Sequence, residues 1–286
     1  MKLGYIGLGK MGANMVARLA EKGHECETYD TSGSGSTQSL SELVAAVSAP
    51  RLIWVMVPAS ATDGVIDQLA HLLSSGDTVI DGGNSFYKKS VEHAGRLARK
   101  GIEFLDAGIS GGPSGARNGA CVMIGGKKEL FLRYEQLFRD ISAPAAYAYL
   151  GPAGAGHFVK MVHNGIEYGM MQAIAEGFEV LHQSPMKLDL NEITRIYNSG
   201  SVIESRLIGW LLEGYEKYGT ELADISSTVA HTGEGAWTVE AAKELGVETP
   251  IIEGSLLFRK QSGDNPSYAG RVLSLLRALF GGHSAK

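Results

Sequence analysis

Five side chains of different chemistry fall at helical spacing within Gly156–Tyr168: Lys160, His163, Asn164, Glu167 and Tyr168. Steps of three and four residues stack side chains on one face of an α-helix. At ~100° per residue the five lie within about 140° of arc. Phe158, Val159, Met161, Val162 and Ile166 take most of the remainder. A solvated helix face is usually a repetition of Glu, Lys, Gln and Arg. Here an amine, an imidazole, an amide, a carboxylate and a phenol converge behind Gly151, Gly154 and Gly156. Such a set offers candidate acids, bases and hydrogen-bonding groups, and it reads as catalytic.

The first half of the chain must position these groups. Lys2–Ile6 is a β-prone run followed by Gly7, Leu8, Gly9, Lys10, Met11 and Gly12. A helical pattern follows, with Met15, Val16, Leu19 and Ala20 on one side, and a second strand, Glu25–Tyr29, ends at Asp30. Glycine triplets also serve ordinary turns. One placed between an N-terminal strand and a helix, with an acid closing the next strand, points to dinucleotide binding. The glycines let a pyrophosphate approach the helix N-terminus, where free N–H groups and the dipole favour an anion. Asp30 is placed to accept hydrogen bonds from the adenosine ribose. A carboxylate there repels a 2′-phosphate and no arginine follows it, so NAD is expected rather than NADP.

Thr31–Thr37 is a Gly/Ser run that reads as a flexible linker. The next helix starts only with the capping-box pattern Ser39–Glu42 and runs to about Val47. The crossover is therefore short, which predicts a sheet lacking its usual third strand and an open adenine pocket. Arg51–Val57 is a near-continuous apolar strand of the kind found inside parallel sheets. Val57, Pro58 and Ala59 close it and join the cofactor-binding set, and Thr62–Leu73 reads as a helix. Asp77–Asp81 leads into Gly82, Gly83 and Asn84. Loops at the carboxyl ends of parallel strands bind ligands, which makes Asn84 a candidate for nicotinamide and substrate contacts. Glu103–Asp106 precedes Ser110, Gly111 and Gly112, whose hydroxyl and uncluttered N–H groups form a candidate carboxylate cradle. Cys121–Ile124 and Ala146–Leu150 complete the strands, with a helix near Lys128–Phe138 between them.

Beyond Gly156 strand signals nearly vanish. Helices are expected at 157–183, 189–199, 202–217, 222–231, 235–245, 249–261 and 267–280. The fold class that follows is an α/β Rossmann-type domain, residues 1–155, followed by an all-α C-terminal domain, residues 156–286.

The totals narrow the function classes. With 286 residues, 44% apolar and 20% charged, the chain has the profile of an ordinary soluble globular protein. A net charge of −5 provides no basic field for nucleic acid or an anionic membrane. No apolar run is long enough to span a bilayer, and no leader pattern opens the chain, so a cytoplasmic enzyme is expected. Cys26 and Cys121 each fall in a strand and are expected as buried core thiols, without a disulfide or a metal site.

Gly7–Gly12, Gly82–Asn84, Ser110–Gly112, Gly156–Tyr168, Gly235–Glu240 and Phe280–His283 together resemble the 6-phosphogluconate dehydrogenases, in their short NAD-preferring bacterial form within the β-hydroxyacid dehydrogenases. The strongest part is Lys160–Tyr168. The resemblance implies metal-independent oxidative decarboxylation of 6-phosphogluconate to ribulose 5-phosphate by a homodimer or higher homo-oligomer. It implies that Lys160 is the general base and Glu167 the acid that assists protonation of the enediol. It also implies that Asn84, Ser110, Gly111, Gly112, His163 and Asn164 hold the sugar acid, and that Tyr168 contacts its phosphate. Arg277 and His283, six residues apart, match a tail that in the family enters the partner's active site. The chain departs from the long members, which carry a lysine and a threonine where Thr232 and Glu234 stand and an arginine where Glu204 stands. Arg277, His283 and Arg206 are then the cations left for the phosphate. Two other readings compete. Non-decarboxylating relatives of the 3-hydroxyisobutyrate type carry Asn-Asn in place of His163-Asn164 and lack the counterpart of Glu167. A cofactor-binding protein without turnover would lack the combination of Lys160, Asn164 and Glu167.

Overall fold

The computed structural model describes residues 1–230 and 233–282. It divides into two compact units, Met1–Met161 and Val162–Lys286. The division falls inside a helix.

The first unit alternates strand and helix: β1 (Lys2–Ile6), α1 (Lys10–Glu21), β2 (Glu25–Tyr29), α2 (Leu40–Ala46), β3 (Leu52–Val55), α3 (Ala59–Leu72), β4 (Thr78–Asp81), α4 (Tyr87–Ala98), β5 (Glu103–Ser110), α5 (Gly112–Asn118), β6 (Ala120–Gly126), α6 (Lys128–Ile141) and β7 (Ser142–Gly151). The strands form one sheet in the order β2-β1-β3-β4-β5-β6-β7. All neighbours are parallel except β5 and β6. As the short crossover requires, no strand lies outside β2 among the described residues, and the chain returns through α2 to β3 on the far side of β1. β3 and β4 are buried at every position, because helices cover both faces of a parallel sheet. Trp54 of β3 is fully buried and stacks on Tyr5 of β1, with ring centroids 6.2 Å apart.

Two expectations for this unit need correction. Cys121 is exposed, because β6 alternates its faces there, and Cys26 is half-buried in β2, an edge strand of the sheet. The strand expected to end at Asp106 runs on to Ser110. Gly111 and Gly112 adopt positive φ angles of 125° and 61°, a turn that glycine permits, and α5 starts at Gly112.

The second unit takes in most of α7 (Ala155–His182), then α8 (Leu190–Tyr197), α9 (Arg206–Tyr218), α10 (Glu234–Glu244), α11 (Pro250–Gln261) and α12 (Tyr268–Gly281). Side-chain caps define several starts: Asp189 accepts from Asn191 and Glu192, Ser205 from Ile208 and Ser267 from Gly270. The core gathers Phe178 of α7, Leu211 and Tyr215 of α9, and Leu275 and Leu276 of α12. The helix expected at 222–231 does not form over the described part, 222–230. Leu222, Ile225 and Val229 are buried at helix-like spacing, yet the backbone bonds elsewhere. The Val229 N–H donates to Ser262 Oγ, the Thr228 carbonyl accepts from Ser274 Oγ, and Leu222 has φ of 48°. Tertiary hydrogen bonds here replace the ladder that the pattern suggested. No helix among the described residues is long and apolar enough to cross a membrane.

Gly82 links the sheet core to the loop after β4. A Cβ there would lie 2.5 Å from Trp54 Nε1 and 2.7 Å from Cε2 of a ring with no room to move. Gly82→Ala is expected to destabilise the protein by about 1–3 kcal/mol, the usual cost of overpacking. A urea-unfolding midpoint unchanged from wild type would show that the ring can shift.

Candidate active site

The dinucleotide loop has the backbone geometry its glycines suggest. Gly7 turns at φ 97°, its N–H donates to the Tyr29 carbonyl, and a Cβ on it would strike the Met56 carbonyl. A Cβ on Gly12 would strike the Gly7 carbonyl, so the helix starts directly against the turn. Gly9 is different: a Cβ there would meet nothing within 4 Å, and Gly9 caps α1 without any side-chain hydrogen bond. This leaves the first turn of α1, with no acid in it, open to a phosphate anion. Asp30 braces the loop, accepting the Leu8 N–H at 2.7 Å and the Ser32 N–H at 2.8 Å. Hydrogen bonds from Ser32 and from the Leu8 backbone hold its carboxyl below the usual range, so it is an anion at neutral pH. Three hydrogen bonds, from the Leu8 and Ser32 backbone and the Ser32 side chain, leave the carboxylate at least one lone pair for a ribose hydroxyl. The residues present therefore fit a dinucleotide. Val57 lies beside Gly7, and Pro58 and Ala59 open α3 at the end of β3.

Asn84 is exposed in the turn after β4. Asp81, fully buried at the strand end, shapes that turn by accepting the Gly83 N–H at 3.0 Å and the Ser85 hydroxyl at 2.8 Å. Its register partner on β5 is Asp106, also fully buried. Asp106 accepts the N–H groups of Gly154 and His157 at 2.7 and 2.8 Å, which fixes the start of α7. Lys160 follows one turn later with only 8% of its surface exposed.

Further along α7, in the second unit, His163 Nδ1 lies 3.1 Å from the Asn164 amide oxygen and 3.8 Å from Glu167 Oε2. The amide oxygen can only accept, so Nδ1 carries the proton. Asn164 and Tyr168 are buried, His163 and Glu167 half-buried. Gly235 at the start of α10 lets that helix press on Tyr168, where a Cβ would fall 2.6 Å from the ring.

The Tyr168 ring also carries a residue that the sequence did not single out. The Arg259 guanidinium lies 3.5 Å from the ring centroid, and Arg259 is 3% exposed. Burial pulls its pKa down to about 10; Tyr168 opposes that, Arg277 adds to it, and Glu167 and Glu234 oppose it. Arg277 of α12 is likewise buried and lowered by burial, with Tyr168, Glu234 and Glu167 pulling the other way. Two buried guanidiniums thus share one phenol and two carboxylates. Among the described residues the Nε of Arg259 has no hydrogen-bond partner, a buried donor that costs about 1–3 kcal/mol until something accepts from it. The signal in the sequence was an arginine in line with buried Ser255 and Leu256 on α11. Arg206 lies over the Trp210 ring, 4.8 Å away, and is exposed. Glu204 is exposed and accepts the Gly200 N–H. His283 and Thr232 lie outside the described residues.

Comparison with known proteins agrees with this arrangement of elements. Residues 2–151 match the NAD binding domain of 6-phosphogluconate dehydrogenase, and residues 156–272 match the 6-phosphogluconate dehydrogenase C-terminal domain. The chain is 43% identical to YqeC of Bacillus subtilis, provisionally named a 6-phosphogluconate dehydrogenase, over 100% of this chain and 99% of that protein. It is 38% identical to the NAD(+)-dependent, decarboxylating 6-phosphogluconate dehydrogenase of Haloferax volcanii, over 99% of this chain and 98% of that one. Among solved structures, the 6-phosphogluconate dehydrogenase of Plasmodium falciparum is 28% identical with a TM-score of 0.78, covering 98% of this chain and 70% of that one. Two family matches spanning nearly the whole chain, over a nucleotide-binding sheet and a helical unit with a buried lysine at their junction in the sequence, lead to one conclusion: this protein is a member of the 6-phosphogluconate dehydrogenase family, an oxidoreductase family.

Proposed function

We propose that the protein oxidises 6-phosphogluconate to ribulose 5-phosphate and carbon dioxide with reduction of NAD. The observation that carries this reading is the buried Lys160, followed on one unbroken helix by His163, Asn164 and Glu167. The bound dinucleotide would supply a hydride acceptor, held by Gly7–Gly12, Asp30, Val57–Ala59 and Asn84. Lys160 takes the proton from the C3 hydroxyl of the substrate as that carbon is oxidised. The ammonium so formed then sits beside the new C3 carbonyl. A β-keto acid loses carbon dioxide readily when a cation stabilises the developing enolate, and this ammonium fills that role. Glu167 assists protonation of the resulting enediol. Asn84, Ser110, Gly111, Gly112, His163 and Asn164 hold the carboxylate and hydroxyls. The Asp30 carboxylate supports the choice of NAD, since an anion there repels a 2′-phosphate.

Tyr168, Arg259 and Arg277, near one another in one chain, take the phosphate, in place of the exchange of tails that the resemblance implied for Arg277. Guanidiniums suit that role because their planar donors match phosphate oxygens. The buried, unpartnered Nε of Arg259 supports it further. Ile166 and Met170 on α7 and Ile251 on α11 are exposed apolar side chains, and Gly169 brings the two helices together beneath Ile251. This patch supports pairing of two copies into a homodimer.

The decisive assay follows NAD and NADP reduction with 6-phosphogluconate, gluconate and 3-hydroxyisobutyrate while trapping carbon dioxide. NAD reduction with 6-phosphogluconate and stoichiometric carbon dioxide is expected. Reduction without carbon dioxide would move the assignment to a non-decarboxylating dehydrogenase, and cofactor binding without turnover to a binding protein. Lys160→Met is expected to lower kcat by at least about 100-fold, the scale of a lost general base, with NAD affinity retained. Turnover at the wild-type rate would remove Lys160 from its role. Arg259→Gln is expected to raise the KM for 6-phosphogluconate about 10- to 100-fold, the worth of one charge-assisted hydrogen bond, and to leave gluconate oxidation within about 3-fold. Equal effects on both substrates would place the phosphate elsewhere.

A further inference from the structure

We propose that the end of β5 sets the position of the Lys160 amine, with Asp106 as a positioning residue and Gly108 as the seat of the lysine stem; this rests on the reading of Lys160 as the base. Three observations carry it, all within the first unit. The first is the pair of hydrogen bonds from Gly154 and His157 to the two Asp106 oxygens. These N–H groups belong to the opening of α7, where no carbonyl lies four residues back to receive them. A carboxylate at that end also meets the favourable pole of the helix dipole.

The second is the absence of side chains from the contact. A Cβ on Gly125 would fall 2.6 Å from Asp106 Oδ1 and 2.7 Å from the Gly156 nitrogen, and one on Gly156 would fall 2.8 Å from the Asp106 carbonyl. A Cβ on Gly108 would strike the Cβ of Lys160 and lie 3.0 Å from its Cγ and 2.9 Å from the Gly156 carbonyl oxygen. Gly108 stands two residues after Asp106, so both point to the same face of the strand. The lysine stem therefore rests on bare strand backbone, next to the carboxylate that anchors its helix.

The third is a second hold on the same helical turn. His157 is 1% exposed, and its Nδ1 lies 2.7 Å from the hydroxyl of the fully buried Ser90 on α4. Phe158 meets the Tyr87 ring edge-on at 5.0 Å. With β5 on one side and α4 on the other, the turn before Lys160 has little freedom. Such fixation matters, because a displacement of about 1 Å at a reacting group costs on the order of 100-fold in rate.

The isosteric change Asp106→Asn keeps the volume but replaces one acceptor oxygen with a donor. Whichever way the amide lies, the N–H of Gly154 or of His157 loses its partner. Gly108→Ala tests the seat independently, by forcing a methyl group into the lysine stem. Both full-length variants would be compared with wild type in steady-state kinetics, NADH binding by fluorescence, and NMR of ¹³C-methylated lysines. The Lys160 resonance would be assigned by its loss in Lys160→Arg. The expected result is a fall in kcat of about 10- to 100-fold, with NADH affinity and the number of NADH sites within about 2-fold, the margin for an undisturbed site, and a displaced Lys160 resonance. Folded variants with wild-type kcat and an unmoved resonance would overturn the proposal. So would a loss of kcat matched by an equal loss of NADH sites, which marks a purely structural role. If one variant does not fold, the other carries the test. A wild-type enzyme inactive on 6-phosphogluconate would defeat the activity reading alone, and the resonance comparison would still decide whether β5 positions Lys160.

Discussion

A fully buried carboxylate that accepts two backbone N–H groups from the start of a helix is the contact that fixes where α7 begins in the first unit. A carboxylate removed from water is costly unless its lone pairs are used, and an opening helix turn is costly to bury unless its N–H groups are received. Asp106 and the start of α7 each meet the other's need. The contact is possible only because Gly125 and Gly156 leave the strands and the helix backbone to back.

The same device recurs along the sheet. Asp30 after β2, Asp81 at the end of β4 and Asp106 on β5 each accept through both oxygens from a neighbouring turn or helix start. Asp81 and Asp106 stand opposite each other in the parallel register. Backbone at the carboxyl ends of parallel strands has left the ladder and needs other partners. Short acidic side chains supply them from within, which lets the loops be shaped before a ligand arrives.

The second unit faces the opposite electrostatic problem. Arg259 and Arg277 are buried cations, and desolvation presses on both. Glu167, Glu234 and Tyr168 relieve that pressure without saturating the donors, since Arg259 Nε is left over. The two cations are held by neighbouring carboxylates and a phenol, with one guanidinium donor unused among the described residues.

Periodicity and turn chemistry alone determined the alternation of strand and helix, the glycine loop with Asp30, and the polar face of α7, because each depends on neighbours within a few residues. Much of the site was legible for the same reason: Lys160, His163, Asn164 and Glu167 share a face by helical geometry wherever the helix lies. Tertiary structure decided the rest. Leu222, Ile225 and Val229 keep a helical spacing, but the Val229 N–H donates to Ser262 and the Thr228 carbonyl accepts from Ser274, and no helix forms over 222–230. Cys121 lies in a strand as expected, yet its face of β6 looks outward. Arg259 meets Tyr168 only because two helices distant in the sequence pack together. Asp106 finds its donors 48 and 51 residues further on. A local pattern records which face of an element is apolar. It holds no record of which buried charge will meet which unpaired donor, because that depends on how the elements close upon one another.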